Sequence, residues 1–260
     1  MNRLSFLNSF LAIVVCSMLA FSCEIDNYDP PDATIQGAFF DHHGQPLQVE
    51  QGAEFIRMRE ISWAKGDEDI FIGNRRLRLW QDGTYVHSKQ FSGDYLMLPS
   101  NGNFFPYWDA DDPERDGDDA GDLVKIANVV TKDFHVTPYL SIEWVQKPRV
   151  VDGNYIECVA RFTRNQKAGY EMPDVQFANM QVSRTKFPNR ANISELVPSQ
   201  LTLTNDMEGT EITFRTRTPV KWTGISYFVR ITMNCRASGT INYPGLGAWN
   251  CSTVEEIFVP

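Results

Sequence analysis

Histidine is scarce: His42, His43, His87 and His135 are the only four in 260 residues. None has the spacing that sets two imidazoles one helical turn apart around a Glu, so a zincin-type metal site is excluded. There is no nucleophile elbow, no Gly-rich phosphate loop and no dinucleotide fingerprint, which removes the enzyme classes legible by motif. Glycosidase carboxylates carry no portable motif, yet two small sandwiches without an evident deep cleft are a poor setting for them, and a non-catalytic protein is expected. Basic residues are outnumbered 24 to 33, giving a net charge of −9, the wrong sign for a phosphate-backbone binder. An apolar run of the roughly 20 residues that cross a bilayer is also lacking. The longest, Phe10 to Phe21, is short and broken by Ser17. Helical periodicity nowhere lasts three turns, Ala191 to Val197 behind Pro188-Asn189 being its one weak trace.

What is present begins with the first residues. Arg3 supplies a positive charge, Leu4 to Ala20 is mostly apolar, and Ala20-Phe21-Ser22-Cys23 ends the run with small residues around a cysteine. That is the layout of a secretory signal, here with a lipobox, so residues 1–22 are expected to be removed and Cys23 to carry a lipid. Anchoring then rests on acyl chains, at about 0.8 kcal/mol per buried methylene, rather than on a spanning helix. The residues that follow, Glu24-Ile25-Asp26-Asn27-Tyr28-Asp29-Pro30-Pro31-Asp32, form an acidic, Pro-containing tether over 23–32 that cannot bury apolar area. Loss of Arg3 leaves a mature charge of 23 − 33 = −10. Such a surface is compatible with neutral sugars, cations or a basic protein patch and selects none of them.

Cysteine is nearly as rare as histidine. Of five, Cys16 leaves with the leader and Cys23 is the lipidation site, so Cys158, Cys235 and Cys251 remain. Cys235 and Cys251 flank the 15 residues Arg236 to Asn250, rich in Gly, Asn and Pro. A bridge between them would remove unfolded-state entropy worth about 3 kcal/mol. Cys158 sits in an alternating run, Tyr155 to Phe162, that points it inward as a free thiol. A Cys158–Cys235 pair is the competing arrangement.

Strand signals fill the mature chain. Ala33 to Phe40, Arg76 to Trp80, Tyr85 to Phe91, Tyr95 to Leu98, Leu123 to Val130 and Asp133 to Val136 are short, β-branched or aromatic, and divided by turn formers such as Gln81-Asp82-Gly83. From Tyr139 a second series follows: Leu140 to Val145, Asn154 to Thr163, Val175 to Ser183, Gln200 to Thr204, Thr210 to Arg217, Gly224 to Asn234 and Val254 to Val259. About seven strands at this spacing suggest an immunoglobulin- or fibronectin-like sandwich over 139–260. Pro138 and Pro148 bracket the junction, which leaves 33–138 as a first domain.

Ala33-Thr34-Ile35-Gln36-Gly37-Ala38-Phe39-Phe40-Asp41 followed by Gly44-Gln45-Pro46-Leu47 resembles the opening of carboxypeptidase-regulatory-like, prealbumin-type domains. With Asp82-Gly83-Thr84-Tyr85, Phe91-Ser92-Gly93-Asp94-Tyr95, Phe104-Phe105-Pro106 and Asp133 to Leu140, the mature chain is similar to a family of Bacteroidetes lipoproteins of unknown function. Its members are usually encoded beside SusC/SusD-type glycan-uptake systems. The resemblance implies an all-β protein of two tandem sandwiches, the first prealbumin-like. It further implies attachment to the outer membrane facing outward, and work as a non-catalytic accessory subunit of a SusC/SusD-like glycan importer. A stand-alone glycan-binding surface lipoprotein is the alternative.

Two kinds of site stand out. In Asp109 to Asp122, the residues Asp112, Glu114 and Asp116 alternate ahead of Gly117 in the manner of a calcium loop. The twelfth position is Leu123 where an EF-hand has Glu, and Pro113 interrupts the loop, so a calcium site and a solvated acidic loop both stay open. Among the aromatics, Phe104 and Phe105 read as core. Trp108, Tyr243 and Trp249 lie in loops where a flat ring would stack on a pyranose, making them the candidate glycan contacts.

Overall fold

The structure is a computed structural model that describes residues 30–62, 73–107, 121–188 and 193–260. Cys23, Trp108, Asp112, Glu114 and Asp116 lie outside the described residues, so the lipidation and calcium readings are not placed by it. Within that range the protein is all-β, and no helix among the described residues is long and apolar enough to cross a membrane.

The described residues of the first half form eight strands in two sheets. In one, β1 (Ala33–Phe40) pairs antiparallel with β4 (Thr84–Gln90) and parallel with β7 (Val129–Thr131), then, further along, with β8 (Phe134–His135). The other is antiparallel, in the order β3 (Arg75–Leu77), β2 (Ile56–Glu60), β5 (Gly93–Pro99), β6 (Asp122–Ile126). Alternation supplies the inner faces: Ile35 and Phe39 from β1, Ile56 and Met58 from β2, Met97 from β5 and Ile126 from β6 are all buried. Gly37 breaks the apolar alternation of β1 for a steric reason. A Cβ there would sit 1.9 Å from the Lys132 carbonyl oxygen and 3.0 Å from the Tyr85 hydroxyl, which donates to that same oxygen.

The second half repeats the plan with a smaller and a larger sheet. The smaller is β13 (Ile212–Arg215), β10 (Tyr155–Arg164) and β9 (Leu140–Val151). The larger is β12 (Leu201–Thr202), β11 (Asp174–Ser183), β14 (Ile225–Arg236) and β15 (Asn250–Cys251), with β16 (Glu255–Val259) also on β14. Ile156, Cys158, Ala160 and Phe162 of β10 face Val182, Met180 and Ala178 of β11 across the core. Burial of side chains this size contributes about 1.5–3 kcal/mol each.

The junction prolines differ from the sequence reading. β9 runs straight through Pro148, because Arg149 pairs with Glu157 while Gln146 pairs with Val159. Lys147 and Pro148 together therefore oppose Cys158 alone, a bulge on an edge strand where a missing N–H disturbs no ladder bond. The helical trace behind Asn189 is also corrected: the described part, Ile193 to Val197, is a single turn closed by Leu196 and Val197 N–H groups on the Ile193 carbonyl.

The buried apolar residues fall into two clusters that part between Val136 and Tyr139, within one compact unit spanning Asp32–Pro260. Phe104 belongs to the first cluster and Phe105 to the second. Where the halves meet, the larger sheet turns a polar face inward: Asn179, Gln181, Ser183, Arg230, Thr232 and Ser252 are all buried. Arg230 ties the seam. Its guanidinium donates to the carbonyls of Ser252 at 3.0 Å, Val49 at 2.6 Å and Gln81 at 3.3 Å, and to Gln48 Oε1 at 3.4 Å. A buried cation without a carboxylate is tolerable here because carbonyl dipoles surround it.

Candidate functional site

A cleft of about 480 Å³ opens at this same junction. The turn after β1 forms part of it. Asp41 Oδ1 accepts the backbone N–H groups of His43 and Gln45, both at 2.8 Å, and this fixes Gln45 and His43 at the rim. The start of β9 contributes Ser141, Ile142 and Glu143, and Thr253 completes the lining from the far end of the chain. Pro46, Leu47, Pro138, Leu140 and Ile142 supply apolar surface among these polar groups. Polar side chains beside an apolar floor, in a volume within the range of small-molecule sites, suit a ligand with one wet and one dry face.

Asn103 is the best-placed amide of the cleft. It is 1% exposed, donates from Nδ2 to the carbonyls of Trp249 at 3.1 Å and Gln48 at 3.4 Å, and leaves Oδ1 without a partner in the protein. Its backbone carbonyl accepts the Tyr139 N–H at 3.0 Å, so the residue is pinned to both halves.

The acid–base inventory of the cleft is subdued. Glu143 is paired with Arg161 at 3.0 Å. The His42 ring lies 3.9 Å from that of His43, and its pKa is lowered from 6.5, first by burial and then by His43, against an upward pull from Asp41. Burial pushes the Cys251 thiol up to about 12, which keeps it un-ionised and a weak nucleophile. No group of three or more His, Cys, Asp or Glu among the described residues is arranged to hold a metal ion.

The proposed disulfide is overturned. Cys158, Cys235 and Cys251 are all free and buried. Cys251 pairs across the ladder with Thr232, whereas Cys235 lies three residues further along β14. An odd offset on a strand turns the two thiols to opposite faces, and a bridge needs their Cα atoms within about 7 Å. The competing Cys158–Cys235 pair is likewise not formed, although both thiols belong to the second core.

The two described aromatic candidates are packed rather than displayed. Trp249 is 8% exposed and lines a smaller pocket of about 230 Å³ with Glu50, Phe55 and Ala248, so it offers no open face for a sugar. The Tyr243 hydroxyl accepts the Glu171 N–H at 2.9 Å and faces the Glu171 carbonyl at 3.1 Å. Its ring stands edge-on to Tyr170 and tilts against Phe105. Phe104 and Phe105 are core, in agreement with the sequence reading. The rim residues Gln45, Ser141, Glu143 and Thr253 were not singled out from sequence. They come from three distant segments, and of them only Gln45 lies in the stretch that carries the prealbumin-type resemblance.

No protein-family model matches this chain, and neither does any curated protein. Solved structures do share its fold. A DUF3823 family protein from Bacteroides uniformis superposes with a TM-score of 0.72 at 24% identity, covering 88% of this chain and 100% of its own. A DUF3823 family protein from Bacteroides ovatus gives 0.63 at 14% identity with the same coverage. A candidate carbohydrate binding protein from Bacteroides uniformis gives 0.63 at 18% identity, again covering 88% and 100%.

Proposed function

We propose that this chain is a non-catalytic, lipid-anchored carbohydrate-binding module on the outer face of a bacterial outer membrane, serving as an accessory subunit of a SusC/SusD-like glycan importer. The observation that carries the binding role is the junction cleft, where Gln45, Ser141, Glu143 and Thr253 surround an apolar floor of Pro46, Leu47 and Leu140. Hydroxyls of a sugar would meet the amides and carboxylate while its C–H face lies on the prolines and leucines. A likeness of fold to a protein described as a candidate carbohydrate binder supports this. The lipobox at Cys23, the acidic tether and the resemblance to importer-associated lipoproteins support the location and the partner. Function would follow from effective concentration: modules tethered to one membrane patch make later contacts intramolecular, so weak sites suffice.

Native gels containing a panel of polysaccharides test the binding role. Retardation by at least one neutral polymer is expected, and Gln45→Ala with Glu143→Gln should abolish that retardation, whereas mobility unaffected by every polymer would sink the reading. A mild-detergent pull-down through a tag on Pro260 tests the subunit role. Recovery together with SusC/SusD-like proteins is expected, and recovery of the chain alone would reduce the assignment to a stand-alone glycan binder.

A further inference from the structure

Trp80, 49% exposed, lies beside the turn Arg184-Thr185-Lys186-Phe187. The Trp80 and Phe187 rings lie 6.4 Å apart and tilted by 42°, and Phe187 is itself 40% exposed. They come from different halves of the molecule and are held together by Gln81 Nε2, which donates to the Lys186 carbonyl at 2.9 Å. At the other end of the turn, Arg184 acts electrostatically on the Tyr227 hydroxyl, and that hydroxyl donates to the Trp222 carbonyl at 2.9 Å. The indole N–H of Trp80 bonds to nothing among the described residues.

Four arginines elsewhere are drawn into pairs with carboxylates, Arg78 with Glu54, Arg149 with Glu157, Arg161 with Glu143 and Arg215 with Asp152. Arg184 and Lys186 are exposed, two residues apart, and neither is paired with a carboxylate among the described residues. In a chain with a net charge of −9, two neighbouring cations left open beside a fixed pair of rings are suited to an anion that also carries flat apolar faces.

We infer that this turn is a second binding surface, separate from the junction cleft, whose ligand is an acidic polysaccharide bearing carboxylate or sulfate groups. Trp80 and Phe187 stack on its sugar rings, and Arg184 and Lys186 take its charges by charge-assisted hydrogen bonds. The inference rests on the reading that the chain binds carbohydrate and adds the chemical class.

Native gels containing polygalacturonate, chondroitin sulfate, or neutral dextran and laminarin test it on the full mature chain. Retardation by at least one acidic polymer is expected, falling with added salt. Trp80→Ala, and the pair Arg184→Ala with Lys186→Ala, should each weaken it by about tenfold or more, equivalent to about 1.4 kcal/mol, at an unchanged unfolding temperature. The cleft variants Gln45→Ala and Glu143→Gln should leave it intact. Retardation by the neutral polymers alone would overturn the acidic surface and leave the carbohydrate reading standing. Acidic retardation that survives all the turn variants would overturn it too. So would flotation with phosphatidylglycerol vesicles that the same variants abolish while no polymer binds, since the patch would then be a membrane contact.

Discussion

Replacing Arg230 with Met keeps the length and apolar stem of the side chain and removes its five donors. The side chain is fully buried, so water cannot take over its partners. Of the four acceptors, Gln81 O also receives the Val49 N–H at 3.1 Å, and the contact to Gln48 Oε1 is long at 3.4 Å. That leaves the carbonyls of Val49 and Ser252 orphaned. A buried acceptor without a partner costs about 1–3 kcal/mol, so two cost about 2–6 kcal/mol. Relief of the buried charge returns part of this, which places the net loss in the lower part of that range, at about 2–4 kcal/mol. For a protein of this size each kcal/mol lowers Tm by about 2–4 °C, giving a fall of roughly 4–16 °C. Urea unfolding monitored by tryptophan fluorescence measures the free energy, and differential scanning calorimetry the temperature. Arg230→Lys should recover little, because an ammonium cannot reach carbonyls on both sides of the seam in one geometry. A methionine variant within about 1 kcal/mol of the parent would refute the argument that this guanidinium fastens the halves.

Other consequences are simpler to check. Gly37→Ala should destabilise by about 1–3 kcal/mol or more, since its Cβ meets backbone rather than a movable side chain; an unchanged urea midpoint would contradict the close approach. A thiol reagent should find no fast-reacting cysteine in the folded mature protein and three in the denatured, unreduced one; a single thiol after denaturation would restore the disulfide. The Cys158 and Cys235 thiols, like that of Cys251, are pushed up to about 12 by burial, so raising pH to 9 should not unmask them. His42 holds its proton less tightly when folded than its ordinary 6.5, so the unfolded chain binds the extra proton and stability should fall as pH drops below that value. The part of that fall due to His42 should vanish in His42→Asn, and identical pH profiles of Tm for the two proteins would refute the assignment.

Much of the fold could be read from residues, and the misses share a cause. β1 matches its expected span of Ala33 to Phe40 because alternation and the turn behind it are both local signals. Leu123 to Val130 was read as one strand, but Asn128 adopts φ 58° and divides it into β6 and β7, a left-handed bend that Asn tolerates and that leaves no apolar gap to notice. β2 alternates as a strand should, but Ile56-Arg57-Met58-Arg59-Glu60 is short, carries three charges and puts a glutamate at its third inward position, where the Ser62 N–H satisfies it at 2.8 Å. β15 is two residues long and exists only by pairing with β14. The cleft was illegible for a related reason, being assembled from positions near 45, 142 and 253 that no spacing rule connects. Trp249 shows the converse error: a loop tryptophan in a Gly-rich stretch looks displayed until Ala248 and Phe55 are seen around it.

Phe104 and Phe105 are neighbours in the chain, yet one fills the first core and the other the second. A single peptide bond thus acts as a rivet through both sandwiches, reinforced where the Phe105 N–H meets the Thr137 carbonyl at 2.9 Å. Loosening either ring drags on its neighbour's socket, so disorder in one sandwich is passed directly to the other. The molecule should melt as a whole, and neither sandwich, cut free at the junction, would keep its packing.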